Sequence, residues 1–303
     1  MKIVCFIASV IKDERRLKYF RHMLDSIRAQ TTEPTNLYIS IHIAFDFSET
    51  EWKKLFANLP GSPVILRQKQ PKKQFVQYRE LLKRADDDLR KKETFIMFSD
   101  DDDLWHPMRV QRYMEFIEKA ALECPDSLSR MSAVQSREET EQGLPCQFCQ
   151  QFNESNVDAM LLCGCIRIAT YPYTKGLVNT EYHQFIVKPY VLQEFLELYS
   201  QLVDTNRFTD MQFRNFVCCY KSDQSFVTGQ LAAPHWMYYY RKCDTTYNAV
   251  TNPVGAADDF EAYIQYLNEA IACPAMGPAF AKKCIASCDA RLWPVLILRV
   301  KGL

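Results

Sequence analysis

TFIMFSDDDDLWHP, residues 94–107, decides how this chain is read. Six uncharged, mostly apolar residues, Thr94 to Ser99, run directly into Asp100-Asp101-Asp102-Asp103. A short apolar run bounded by polar residues reads as a buried strand. Four adjoining carboxylates at its end are electrostatically costly, because like charges raise one another's pKa. A hard divalent cation such as Mg²⁺ or Mn²⁺ removes that penalty, and carboxylate oxygens are its natural donors. Alternate residues of an extended chain point the same way. Asp100 and Asp102 are therefore expected on one side, Asp101 and Asp103 on the other. The carboxyl end of a strand in an open α/β sheet is also where ligands collect. A calcium loop of the EF-hand type is excluded: Leu104 and Trp105 stand at the fifth and sixth positions counted from Asp100, where an oxygen ligand and a glycine are required.

Working outward from that strand, apolar and amphipathic stretches alternate, the signature of an α/β layer fold. Ile3–Val10 reads as a buried strand, and Arg15–Gln30 as a helix with Leu17, Phe20, Leu24 and Ile27 on one face. Asn36–Phe45 is a strand. Ser48 is placed to cap a helix running through Leu59, with Glu51 completing a capping box. Pro63–Gln68 is a short strand, Gln74–Ala85 a helix, and Met108–Leu122 a further helix. Periodicity then weakens, and residues 124–156 are expected to be a linker or mobile loop. Elements resume over 157–250, with a strand at Trp236–Arg241, and 251–303 is expected to be a helical C-terminal extension.

Composition narrows the function classes. Lysine plus arginine and aspartate plus glutamate each number 37 in 303 residues, giving a formal net charge of zero. A dedicated nucleic-acid binder carries a basic excess, so nucleic acid is not an expected partner. The 12 cysteines are about 4% of the chain, below the density of a disulfide scaffold. Reduced cysteines, no cleavable leader and no run approaching ~20 apolar residues lead us to expect a cytoplasmic protein with no membrane span. Cys146, Cys149, Cys163 and Cys165 have a spacing compatible with a structural zinc site, weakened by the unusual Cys-x-Cys pair.

FSDDDDLWHP resembles the D-x-D-D segment of GT-A-fold glycosyltransferases, in particular the family-2-like inverting enzymes that use nucleotide-sugars. The order of elements over roughly residues 1–250 agrees with it. The chain is also similar to the glycosyltransferases of large DNA viruses, which would place it in the host cytoplasm. The resemblance implies a mixed, Rossmann-like sheet flanked by helices. Residues 1–123 would then bind the donor and 157–250 the acceptor, within one domain. It implies Mn²⁺ or Mg²⁺ held by Asp102 and Asp100, with Asp103 as a further candidate, against the diphosphate of a UDP-sugar. Ser9, Asp46, Gln74, Arg79, Asp100, Asp101 and Arg241 are implied at the nucleotide. Asp210, in NRFTDMQFRNFV, is implied as the base that deprotonates an acceptor hydroxyl on a glycan or glycoprotein. The family often has Glu-Asp there, and this chain has Thr209-Asp210. Arg241 matches the arginine of an Arg-x-His segment, but Cys243 replaces the histidine, leaving His235 as a candidate third metal ligand. His106 and the aromatic run Trp236 to Tyr240 are expected to be structural. The implied activity is hexosyl or pentosyl transfer with inversion. Two alternatives stay open on the residues alone: a metal-dependent nucleotidyltransferase and a non-catalytic carbohydrate-binding module. The first would carry a glycine-rich phosphate loop near the N-terminus, and CFIASVIKDERR has no glycine.

Overall fold

Lys2–Ile11 (β1) is buried along nearly its whole length, so it needs cover on both faces. It receives that cover from two cores that its side chains enter alternately. Val4, Phe6 and Ala8 enter one, Ile3, Cys5 and Ile7 the other. The computed structural model describes residues 1–85, 93–123, 131–138, 147–155, 160–163, 185–200, 227–233 and 238–242, with ten single positions besides.

Along the chain follow α1 (Glu14–Arg28), β2 (Asn36–Ile43), α2 (Glu49–Leu55), β3 (Val64–Arg67), α3 (Gln74–Arg84), β4 (Thr94–Ser99), β5 (Leu104–Trp105) and α4 (Arg109–Glu123). Then come β6 (Met131–Glu138), α5 (Gln147–Ser155), β7 (Met160–Cys163), β8 (Phe185–Val187), α6 (Pro189–Leu198), β9 (Val227–Ala233) and β10 (Tyr238–Lys242). The described residues form a seven-stranded sheet in the order β3-β2-β1-β4-β8-β6-β9 and a small sheet in the order β5-β10-β7. β1 pairs in parallel with β2 and β4, whereas β8 runs antiparallel to both β4 and β6. The large sheet is mixed, as expected.

Helices α1 and α4 cover one face through Leu17, Phe20, Met23, Val110, Tyr113 and Ile117. On the opposite face α3 and α6 supply Phe75, Tyr78, Leu81, Val191 and Phe195. Each such fully buried side chain contributes roughly 1.5–3 kcal/mol, so the two cores hold the sheet edges in fixed positions. The Ser48–Glu51 capping box forms with both of its bonds, but α2 ends at Leu55, four residues before the expected Leu59.

Two differences concern the second half. Residues 124–156, expected as a linker, carry β6 and α5, and β6 lies inside the large sheet between β8 and β9. β6 reads MSAVQSRE. With only Met131, Ala133 and Val134 as apolar residues it has no strong period, and partner strands on both sides define it. β9, VTGQLAA, was not anticipated for the same reason. Within the expected C-terminal extension only Asn268 and Lys282 are described, both helical; the rest of 251–303 lies outside the described residues.

Candidate active site

Strand order reverses between β1 and β4. The chain builds β1, β2 and β3 outward in one direction and then returns to place β4 on the other side of β1. In an open α/β sheet that reversal opens a crevice beyond the carboxyl ends of the two strands. The acidic segment sits at this crevice, directly after Ser99.

The pleat of β4 aims the first two carboxylates. Ile96 and Phe98 face the α3 side, Phe95 and Met97 the α1 side. Continuing that alternation sends Asp100 toward α3, where Gln74 Nε2 donates to its Oδ1 at 2.8 Å. Asp101 goes toward α1, where Ser9 Oγ donates to its Oδ2 at 2.7 Å and Arg16 Nη2 to its Oδ1. Regular alternation stops there, because the strand ends at Ser99 and the chain bends at residues 101–102. Asp102 consequently joins Asp101 on the same guanidinium, with Arg16 Nη1 donating to its Oδ2 at 2.6 Å. The expected pairing of Asp100 with Asp102 on one side is replaced by a shared Arg16 contact for Asp101 and Asp102.

Asp103 turns inward. Only 1% exposed, it accepts from the Arg241 backbone N–H at 2.7 Å, which removes it from the candidate metal ligands. Arg241 is equally buried, at 1%. Its Nε donates to the Asp102 carbonyl at 2.6 Å, and its guanidinium lies 4.4 Å from the Tyr19 ring centre and 5.2 Å from that of Phe152. Packed between rings, Arg241 braces the acidic turn. Ser9 is 2% exposed and its hydroxyl donates to Asp101, so it orients that carboxylate.

The turn is braced further by aromatic residues. The Asp100 N–H donates to the Tyr238 hydroxyl at 3.1 Å. Trp105 Nε1 donates to Ser99 Oγ at 2.8 Å, and Arg109 stacks 4.6 Å from the Trp105 ring and 4.8 Å from that of Tyr238. Tyr238 and Tyr239 are buried, in line with a structural role for the aromatic run. His106 is likewise structural, its Nδ1 accepting from the Met108 N–H at 3.2 Å.

Electrostatics set the character of the crevice. Burial pushes the Asp102 carboxyl up to about 6; the Arg16 guanidinium opposes that rise, and the Asp101 and Asp100 carboxylates add to it. Burial, aided by Asp102 and Asp100, also raises Asp103. Burial again, with Asp103 and Asp100, raises the Tyr238 hydroxyl, which stays protonated. The rise is chiefly the cost of shielding a charged carboxylate from water, which the Arg16 ion pair reduces and does not cancel.

Carboxylates gathered at one turn and shielded from water, an all-oxygen donor set, fit a hard divalent cation. Among the described residues no three His, Cys, Asp or Glu side chains converge into a cage. Mg²⁺-type sites need none, since one or two carboxylates plus substrate phosphates and water complete their shell. Of the remaining expected residues, Asp46 is exposed just beyond the carboxyl end of β2, on the same sheet edge as the acidic segment. Arg79 lies on the same helix five residues after Gln74, about 140° around the axis and ~7.5 Å along it. Asp210 is half-buried and helical. Three residues on, Phe213 packs 5.4 Å from Phe75 and 5.5 Å from Phe98, the residues next to Gln74 and two before Asp100. His235, Cys146 and Cys165 lie outside the described residues, as does the Cys163 side chain. Cys149 is buried beside Leu104 and Tyr239.

Residues 9–168 match the family model described as glycosyl transferase family 2. This match spans more than half of the chain and includes β1 from Ser9, the whole acidic segment and β6. The chain belongs to the glycosyl transferase family 2, and its helix-flanked mixed sheet is the GT-A fold. It is an enzyme that transfers glycosyl groups. Among solved structures, S. aureus TarS residues 1–349 superposes with a TM-score of 0.49 at 13% identity, over 95% of this chain and 70% of that one. The mannosyltransferase PcManGT from Pyrobaculum calidifontis, in complex with GDP-Man and Mn²⁺, gives 0.46 at 12% identity, over 98% and 73%. No curated protein matches the chain in sequence. Among the described residues no helix is long and apolar enough to cross a membrane.

Proposed function

We propose that the chain transfers a sugar from a UDP-sugar to a hydroxyl of a glycan or glycoprotein, with inversion, using Mn²⁺ or Mg²⁺ at the acidic segment. The observation that carries this reading is the shielded carboxylate cluster at the β1–β4 reversal, in a chain of the glycosyl transferase family 2. Asp102 and Asp100 are the residues to hold the cation. When bound, the ion supplies Lewis-acid stabilisation of the charge on the departing nucleoside diphosphate. Gln74 fixes Asp100 and Ser9 fixes Asp101, while Arg16 is the counter-cation paired with Asp101 and Asp102. Asp46 offers an exposed carboxylate to the N–H edge of the uracil.

Asp210 is assigned as general base. The Phe213 contacts with Phe75 and Phe98 support this, because they pin the helical turn carrying Asp210 against the elements that present Gln74 and Asp100. Residues three apart share a helix face. The Asp210 carboxylate takes the acceptor proton while that oxygen bonds to the anomeric carbon and the bond to the diphosphate breaks on the opposite face. Residues 1–123 are assigned to donor binding and 157–250 to the acceptor.

The test is a donor panel of UDP-glucose, UDP-galactose, UDP-xylose, UDP-N-acetylglucosamine and GDP-sugars, scored by hydrolysis with Mn²⁺ and with EDTA. One UDP-sugar should turn over with Mn²⁺ and stop in EDTA. Turnover of GDP-sugars alone, or turnover indifferent to EDTA, contradicts the assignment.

A further inference from the structure

Arg16 occupies an unusual position for a cation. It is the third residue of α1, where Asp13 caps the helix and accepts from the Arg16 N–H at 2.8 Å. The positive end of the helix dipole disfavours a cation in this first turn. Its side chain nevertheless reaches the carboxyl ends of β1 and β4 and bridges two consecutive carboxylates, Nη1 on Asp102 and Nη2 on Asp101. The Arg16, Asp101 and Asp102 side chains are only 15%, 12% and 13% exposed, so solvent screens the bridge little. Drawing together oxygens of neighbouring carboxylates is also what a divalent ion does. An ion held by Asp102 and Asp100 would therefore share Asp102 with the guanidinium.

We propose that Arg16 is a tethered counter-cation that competes with the divalent ion for Asp102, so that ion and nucleotide bind as a pair. This rests on the reading of the site as one for a metal ion and a nucleoside diphosphate. Without nucleotide, an incoming ion must displace a guanidinium that is already bridged, and it binds weakly. With nucleotide present, the diphosphate offers the displaced guanidinium a replacement anion, a geometry that Arg matches well. The loss that weakens metal binding is thereby recovered, and each ligand raises the affinity for the other, as linkage requires. The bridge also keeps the acidic turn formed when no ion is present.

The test is a titration of Mn²⁺, followed by the electron paramagnetic resonance signal of free Mn²⁺, into wild type, Arg16→Gln, Arg16→Lys and Asp102→Asn, each with and without UDP. Arg16→Gln should bind Mn²⁺ alone about tenfold more tightly than wild type, and the enhancement by UDP should shrink by a similar factor. Arg16→Lys, with one ammonium that cannot bridge both carboxylates, should fall between the two. Mn²⁺ affinity of Arg16→Gln equal to or below wild type, with Asp102→Asn binding lost, overturns the proposal and leaves the metal site standing. Wild-type Mn²⁺ affinity in Asp102→Asn overturns the metal site itself. Should Arg16→Gln fail to fold, Arg16→Lys decides: tighter Mn²⁺ binding than wild type supports competition, and equal or weaker binding refutes it.

Discussion

Replacing Asp102 by asparagine should stabilise the metal-free protein, although the residue is placed at the centre of the active site. The Asp102 carboxyl is raised to about 6 in the folded chain from an ordinary value of 3.8. A folded-state pKa above the unfolded one means that the native state holds its proton more tightly. Stability from this group is therefore fully present below pH 3.8 and is lost as pH rises through 6. A gap of about two units corresponds to about 3 kcal/mol at pH 7 and above, with roughly half of it already lost at pH 5. Asparagine resembles the protonated carboxyl in shape and charge and escapes the loss. In EDTA at pH 8 the Asp102→Asn melting temperature should exceed that of wild type by on the order of 5 °C, and the advantage should shrink toward pH 4. Adding Mn²⁺ should raise only the wild-type value and so narrow or reverse the order. The assay is a set of thermal melts by circular dichroism across pH 4–8, with EDTA or Mn²⁺. An Asp102→Asn protein less stable than wild type in EDTA at pH 8 would refute the raised pKa that burial gives Asp102.

Asp210→Asn should leave Mn²⁺-dependent UDP binding unchanged and lower kcat by about 10²-fold or more, the usual worth of a positioned base; wild-type turnover dismisses Asp210 from that role. Ser9→Ala removes a hydrogen bond to a shielded carboxylate and should cost about 1.5–3 kcal/mol of stability in denaturant melts, with weaker Mn²⁺–UDP binding as Asp101 loses its anchor. Ser48→Ala breaks the capping box of α2, whose bonds join only Ser48 and Glu51. It should cost about 1 kcal/mol while donor hydrolysis stays at the wild-type rate, which separates general destabilisation from effects on the site.

Much of the first half was legible because its elements are strongly patterned. The doubly buried β1 and β4 announce themselves by composition, α1 by its apolar face, and α2 by the Ser48–Glu51 box. The acidic segment was legible as a site because four adjacent carboxylates after an apolar strand have no cheap structural explanation. Its internal geometry was not. Strict alternation holds only while the chain is a strand, and the bend after Asp101 brings Asp102 beside Asp101 and sends Asp103 inward. Arg241 and Ser9 were placed by resemblance, whereas tertiary packing turns both toward the acidic turn itself. Arg16 was missed because Lys12-Asp13-Glu14-Arg15-Arg16 reads as a polar end to an apolar run. The available signal was a cation in the first turn of a helix, against the helix dipole, one loop after the strand that borders the acidic segment. β6 and β9 were illegible because MSAVQSRE and VTGQLAA carry too few large apolar residues, and only their neighbours in the sheet define them.

The central claim is that the acidic segment receives a nucleoside diphosphate through a divalent cation. Isothermal calorimetry of UDP with the wild-type protein, in Mn²⁺ and in EDTA, tests it most directly. The account predicts saturable UDP binding in Mn²⁺ that disappears in EDTA and in Asp102→Asn. UDP binding of equal strength in EDTA, or no UDP binding in Mn²⁺, would contradict it.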